Sequence, residues 1–219
     1  MVNIYMAKYY GNINDVFSTK ELVASLGEGQ YELCYLYDDT GEIKPEFLET
    51  VQRENVLNWK RAGYPDPICN GVIHCPHFDF DAKFLYAINK YLNIISDRCA
   101  ISVTKPGQVI APHTDVDGRE EELRKFGELK GFHIHLGAPV PGHVFMIEDQ
   151  SYYLQEDGAV YEWDQWDSPH SGANAGLETR YIIAIRGIRP YEPLEYEYVW
   201  NEHNPEYLQF KLKDGRVIP

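Results

Sequence analysis

Three residue types recur at a spacing that suggests metal chemistry. His113-Thr114-Asp115 forms an H-x-D directly after an apolar stretch, His170 follows in Asp167-Ser168-Pro169-His170, and Arg180 stands ten residues beyond it at the head of another apolar stretch. Two imidazoles and one carboxylate on one face of an octahedral ion leave three positions open, the donor set of the non-haem Fe(II) oxygenases. A keto acid can chelate two of those positions and leave the third for dioxygen. Its far carboxylate then needs a fixed cation, and the planar fork of arginine meets a carboxylate bidentately. An H-x-D alone recurs by chance in many chains; the ordered set with the later His and Arg is far more specific.

Elements able to hold these residues can be read around them. From Cys99 onward, short β-branched and aromatic runs alternate with Gly, Pro and Asp: Cys99–Thr104, Phe132–Leu136, His143–Ile147, Tyr152–Leu154, Val160–Trp163 and Arg180–Ile185. This texture predicts antiparallel strands, and Lys105-Pro106-Gly107 predicts a turn. Before them, Asp81 to Ile95 carries Phe84, Leu85, Ile88, Tyr91, Leu92 and Ile95 at three- and four-residue steps, an apolar helical stripe suited to a sheet face. A shorter helix is predicted near Asp15–Val23 with Ser18 as N-cap. Phe210–Lys213 and Arg216–Ile218 flank Asp214-Gly215, a hairpin signal. A β-sandwich or barrel braced by helices follows, in one domain: a mixed front over residues 1–98, a β core over 99–190 and an extension over 191–219.

The segments ISVTKPGQVIAPHTD, FHIHLGAPVP and DSPHSGANAGLETRYIIAIRG, between about Cys99 and Pro190, resemble the aspartyl/asparaginyl β-hydroxylase family of Fe(II)- and 2-oxoglutarate-dependent oxygenases. The resemblance implies a double-stranded β-helix, a squashed antiparallel barrel. It implies that His113 and His170 ligate Fe(II), that Arg180 with Ser102 holds the distal carboxylate of 2-oxoglutarate, and that His135 and His133 line the cosubstrate's inner end. Asp115 is either the third ligand, the simpler reading, or points away and leaves a two-histidine site. The family often has Arg where this chain has His133. The implied reaction splits dioxygen, decarboxylates 2-oxoglutarate to succinate and hydroxylates an amino-acid side chain, free or in a peptide or protein. Two other classes fit a metal-bearing barrel: a non-catalytic metal- or small-molecule-binding cupin-like domain, and a cupin enzyme that uses no 2-oxoglutarate. In the latter, Arg180 has no evident task.

The 219 residues carry a formal net charge of −14, which disfavours nucleic acid and anionic membrane surfaces as partners. No apolar run approaches the length of a bilayer span, and the start shows no signal-peptide pattern, so a cytoplasmic protein is expected. The cysteines Cys34, Cys69, Cys75 and Cys99 lack paired spacing and read as thiols. Cys69, His74, Cys75 and His77 crowd together but match no common zinc pattern. The charged run Gly118–Lys130 reads as a solvated helix or loop, or as a lid beside the site. Most of Tyr152, Tyr153, Trp163 and Trp166 read as sheet packing; Trp166, on the loop carrying His170, is the candidate substrate contact, with Asp164 and Asp167 beside it as candidate partners for an amine.

Overall fold

The computed structural model describes residues 7–25, 82–107, 109–116, 118–200 and 208–218. The Cys69–His77 cluster lies outside them. In chain order the elements are β1 (Lys8–Asn12), a 3-10 turn (Ile13–Asp15), α1 (Thr19–Ser25), α2 (Ala82–Leu92), β2 (Ile95–Thr104) and β3 (Val109–His113). Then come α3 (Glu120–Leu123), β4 (Gly127–Leu136), β5 (His143–Ile147), β6 (Gln150–Tyr153), β7 (Ala159–Asp164), β8 (His170–Asn174) and β9 (Arg180–Pro190). A separate three-stranded sheet holds β10 (Tyr196–Trp200), β11 (Leu208–Leu212) and β12 (Val217–Ile218).

Strand order defines the architecture. One sheet runs β1-β7-β4-β9-β2 and the other β3-β8-β5-β6, with every pairing antiparallel. Following the chain from β2 to β9, strands pass back and forth between the two sheets, which is the winding of a double-stranded β-helix.

Side-chain alternation sorts the faces of the larger sheet. Ile101, Val103, Phe132, Ile134, Leu136, Val160, Ile183 and Ile185 form one apolar cluster with Ile13, Ile88 and Leu92, so the front helices cover this outer face. The opposite face of the same strands carries Ser102, Thr104, His133, His135 and Arg180, all buried, and looks toward the smaller sheet. His133 stacks on Phe145 of β5 with ring centroids 4.1 Å apart. The inner face of the larger sheet therefore carries a buried polar group where its outer face is apolar.

Local departures from the sequence reading have backbone causes. The long helix stops at Leu92, short of the expected Ile95, because Asn93 takes the left-handed conformation (φ 52°) and the Ile94 N–H turns back to the Asn89 carbonyl. Ile95 thus opens a strand. The front also contributes β1, which pairs with β7 and was not expected from the sequence. Ser18 does cap α1, its Oγ accepting from the Glu21 N–H at 3.2 Å. The run Gly118–Lys130 splits into α3 and the start of β4, and Leu123 is buried against Leu129 and Trp166, which ties the run to the barrel. Among the described residues no helix is long and apolar enough to cross a membrane.

Candidate metal centre and anion pocket

β3 and β8 are neighbours, and their register sets His113 directly opposite His170. A bulge between Ile110 and His113 re-aims the end of β3, and the chain leaves the strand through Thr114 to Asp115. The Asp115 carboxylate then lies between the two rings, with Oδ1 3.9 Å from His113 Nε2 and Oδ2 3.5 Å from His170 Nε2. The ring centroids are 4.3 Å apart, and one donor atom from each of the three residues falls within 4.8 Å of the others. The Asp115 carboxylate is turned toward both histidines and not away from them.

The donor set fits a divalent metal. His170 Nδ1 lies 3.1 Å from the Ser168 carbonyl, which can accept only if Nδ1 carries the proton. Nε2 is the nitrogen turned toward Asp115, and the Nδ1 bond to a carbonyl is the usual outer hydrogen bond of a metal-binding histidine. Trp163, on β7, backs this ring at 5.2 Å and lies flat over Gly131, where a β-carbon would come within 2.2 Å of the indole. Gly131 is thus required by close approach.

Two residues beyond His170, about 6.8 Å along an extended strand, Gly172 faces Arg180 of β9. A β-carbon at Gly172 would sit 3.0 Å from Arg180 Nη1. Arg180 is 1% exposed, and its Nε, Nη1 and Nη2 find no hydrogen-bond partner among the described residues. Burial lowers its pKa to about 10, so the guanidinium stays charged at neutral pH. A desolvated, unpaired cation is costly, and a carboxylate is the group that relieves it.

Other unpartnered buried atoms lie on the same inner surface: Ser102 Oγ, Thr104 Oγ1, His135 Nδ1 and His143 Nδ1. Thr104 stands opposite Arg180 in register, and His135 and His143 lie edge to face at 6.1 Å. Burial first, then the Arg180 charge among lesser causes, lowers the pKa of His135 to about 4 and that of His143 below its ordinary value. Both rings are neutral at neutral pH, with Nε2 turned to the carbonyls of Ala138 and Glu178 respectively. His133 is driven well below the usual range by burial and by Arg180, and its Nε2 meets Gln155 Oε1 at 3.2 Å. The pocket thus offers one cation and several neutral hydrogen-bonding groups, a fit to a single carboxylate.

Ser102, His133, His135 and Arg180 accordingly share one interior, and His113, Asp115 and His170 share its edge. Thr104, His143 and Gly172 were missed, though alternation alone carries the first two: Thr104 is two residues after Ser102, and His143 heads the inward row His143, Phe145, Ile147 of β5. Trp166 is placed differently from expectation. It is 2% exposed, packed with Leu123, Leu129, Ile188 and Phe210, and donates from Nε1 to the Lys130 carbonyl at 3.0 Å, so its ring is spent on the barrel's packing. Asp164 engages Lys130, whose pKa is raised by this and by Glu128 against the opposing cost of burial.

No family model matches the chain, and no curated protein matches it. Solved structures do. A prolyl hydroxylase from Trichoplax adhaerens, in complex with a hypoxia-inducible-factor peptide fragment, aligns over 86% of this chain and 84% of its own at TM-score 0.48 and 9% identity. A Pseudomonas putida prolyl-4-hydroxylase aligns over 84% of this chain and 92% of its own at TM-score 0.43 and 14% identity. An oxidoreductase of the 2OG-Fe(II) oxygenase family from Burkholderia pseudomallei covers 51% of this chain and 56% of its own at TM-score 0.34 and 16% identity. A predicted oxalate decarboxylase from Thermotoga maritima also aligns, over 46% of this chain and 72% of its own at TM-score 0.31 and 14% identity. At these identities the likeness is one of fold.

Proposed function

We propose that the protein is an Fe(II)- and 2-oxoglutarate-dependent dioxygenase that hydroxylates an amino-acid side chain. The observation that carries this reading is the pairing of two features in one barrel: the His113, Asp115, His170 cluster and, facing Gly172 two residues along β8 from His170, the buried Arg180 of β9 with no hydrogen-bond partner among the described residues. His113, Asp115 and His170 would hold the metal. Arg180 would hold the distal carboxylate of 2-oxoglutarate, with the hydroxyls of Ser102 and Thr104 completing its hydrogen bonds. Fe(II) with 2-oxoglutarate supplies an oxidation in which one atom of dioxygen enters succinate, released with CO₂, and the other enters a C–H bond. This chain's residues would fix the cosubstrate at both ends and keep its anionic end dry, and the neutral imidazoles leave Arg180 as the charge that the carboxylate meets.

The resemblance in the sequence favours Asp or Asn β-hydroxylation, on a free amino acid or within a peptide or protein. Supplying amino acids and peptides aerobically with Fe(II) and 2-oxoglutarate, and measuring succinate, tests the reading. Substrate-stimulated succinate with a product 16 Da heavier is expected. Metal-dependent turnover of a small molecule without succinate would instead favour a cupin enzyme of another kind, and metal binding with no turnover a binding domain.

A further inference from the structure

Asp115 does not lie on a strand, yet its carboxylate is held between two imidazoles. Both polar groups of its backbone are engaged. Its N–H donates to the Trp166 carbonyl at 2.9 Å, and its own carbonyl accepts from Arg186 Nη1. Arg186 lies on β9 with its guanidinium carbon 5.1 Å from the centre of the Trp166 ring, so the cation that donates to Asp115 also lies over the indole. Trp166 is fixed in turn by its Nε1 bond to the Lys130 carbonyl on β4, and it sits on the loop that enters β8 at His170. One bracket therefore stitches the loop carrying Asp115 to the loop leading into His170 and anchors both to the larger sheet.

We infer that Arg186, with the face of Trp166 beneath it, is the positioning residue for Asp115, setting the carboxylate's place in the metal cluster without touching the metal. The inference rests on the reading of His113, Asp115 and His170 as ligands. Arginine suits the position because a planar cation can stack and donate at once; lysine can donate but cannot lie flat on the ring. The buried Trp166 thereby gains a role through its carbonyl and its ring face.

Co(II) binding to the full-length apo-protein tests this, read by affinity and by the visible Co(II) absorption. Outer partners of metal ligands are worth about 10- to 100-fold in metal affinity. Arg186→Met should weaken Co(II) binding by that order and move the absorption toward that of Asp115→Ala, with Arg186→Lys between Met and wild type. A folded Arg186→Met protein with wild-type affinity and absorption overturns the inference, whatever its melting temperature. If the Met variant does not fold, Trp166→Leu replaces it, since it removes the aromatic face and keeps Arg186; unchanged Co(II) binding there overturns the inference equally. Co(II) binding that is untouched by both His113→Ala and His170→Ala overturns the ligand reading itself, and the bracket with it.

Discussion

Gly172 faces Arg180 so closely that a β-carbon on the glycine would stand 3.0 Å from Nη1. The guanidinium cannot easily retreat, because it is buried on all sides and Thr104 stands beside it in register. Gly172 thereby keeps the space in front of the guanidinium open.

Substitution at Gly172 should act on cosubstrate affinity before it acts on metal binding. Its backbone lies outside the left-handed region, so Ala and Val meet no conformational penalty and the effect is one of space. Overpacking of this kind costs about 1–3 kcal/mol. Gly172→Val should raise the 2-oxoglutarate dissociation constant by about tenfold or more, with Gly172→Ala milder. Equilibrium titration at fixed metal concentration measures this, and wild-type affinity in the valine variant would contradict it.

Removing the charge of Arg180 should separate stability from binding. Arg180 is a desolvated cation with no hydrogen-bond partner among the described residues, so Arg180→Met should leave the melting temperature of the apo-protein unchanged or higher. The stabilisation that 2-oxoglutarate gives the wild type, about 2.7 kcal/mol at a concentration 100 times its dissociation constant, should vanish. Thermal melts with and without the keto acid check both halves. A persistent ligand-induced shift in the Met variant would remove Arg180 from the anion pocket.

The neutral His135 predicts an acid-side loss of stability. Its pKa is about 4 in the folded protein and near 6.5 unfolded, the shift coming chiefly from burial. Between these values the unfolded chain binds the extra proton, so its contribution is complete above about pH 6.5 and falls by about 1.4 kcal/mol per unit as pH drops toward 4. Urea midpoints at pH 7.0 and 5.5 should diverge more for the wild type than for His135→Gln. Equal divergence would show that the ring titrates normally in the fold.

Asp115 decides between a three-ligand and a two-ligand centre. With its oxygens 3.9 and 3.5 Å from the two Nε2 atoms, Asp115→Ala should lower divalent-metal affinity at least tenfold, as should His113→Ala and His170→Ala. Anaerobic calorimetry with Fe(II) measures each. Wild-type affinity in Asp115→Ala alone would return the two-histidine site.

Much of this was legible in the sequence because it is periodic or local. The inward row of β4 follows from two-residue alternation around His133 and His135, and the strand register then needs only Gly, Pro and Asp punctuation. What escaped is what depends on approach across the barrel. Nothing local marks Gly172 as the residue opposite Arg180, or Gly131 as the floor beneath Trp163. Trp166 shows the limit most clearly: loop position gave its proximity to His170 but not its direction, and the ring turns into the packing and not the opening. Arg186 carried no signal either, since its partner, the Asp115 carbonyl, is a backbone group 71 residues away.

The central claim is that the His113, Asp115, His170 cluster and Arg180 together hold one metal-chelated keto acid. Anaerobic titration of the apo-protein with Fe(II) and then 2-oxoglutarate, followed by visible absorption, tests it most directly. A weak metal-to-ligand charge-transfer band in the wild type, absent in His113→Ala and lost or strongly weakened in Arg180→Ala, is the expected result. Bound Fe(II) with no band on adding 2-oxoglutarate would contradict the account.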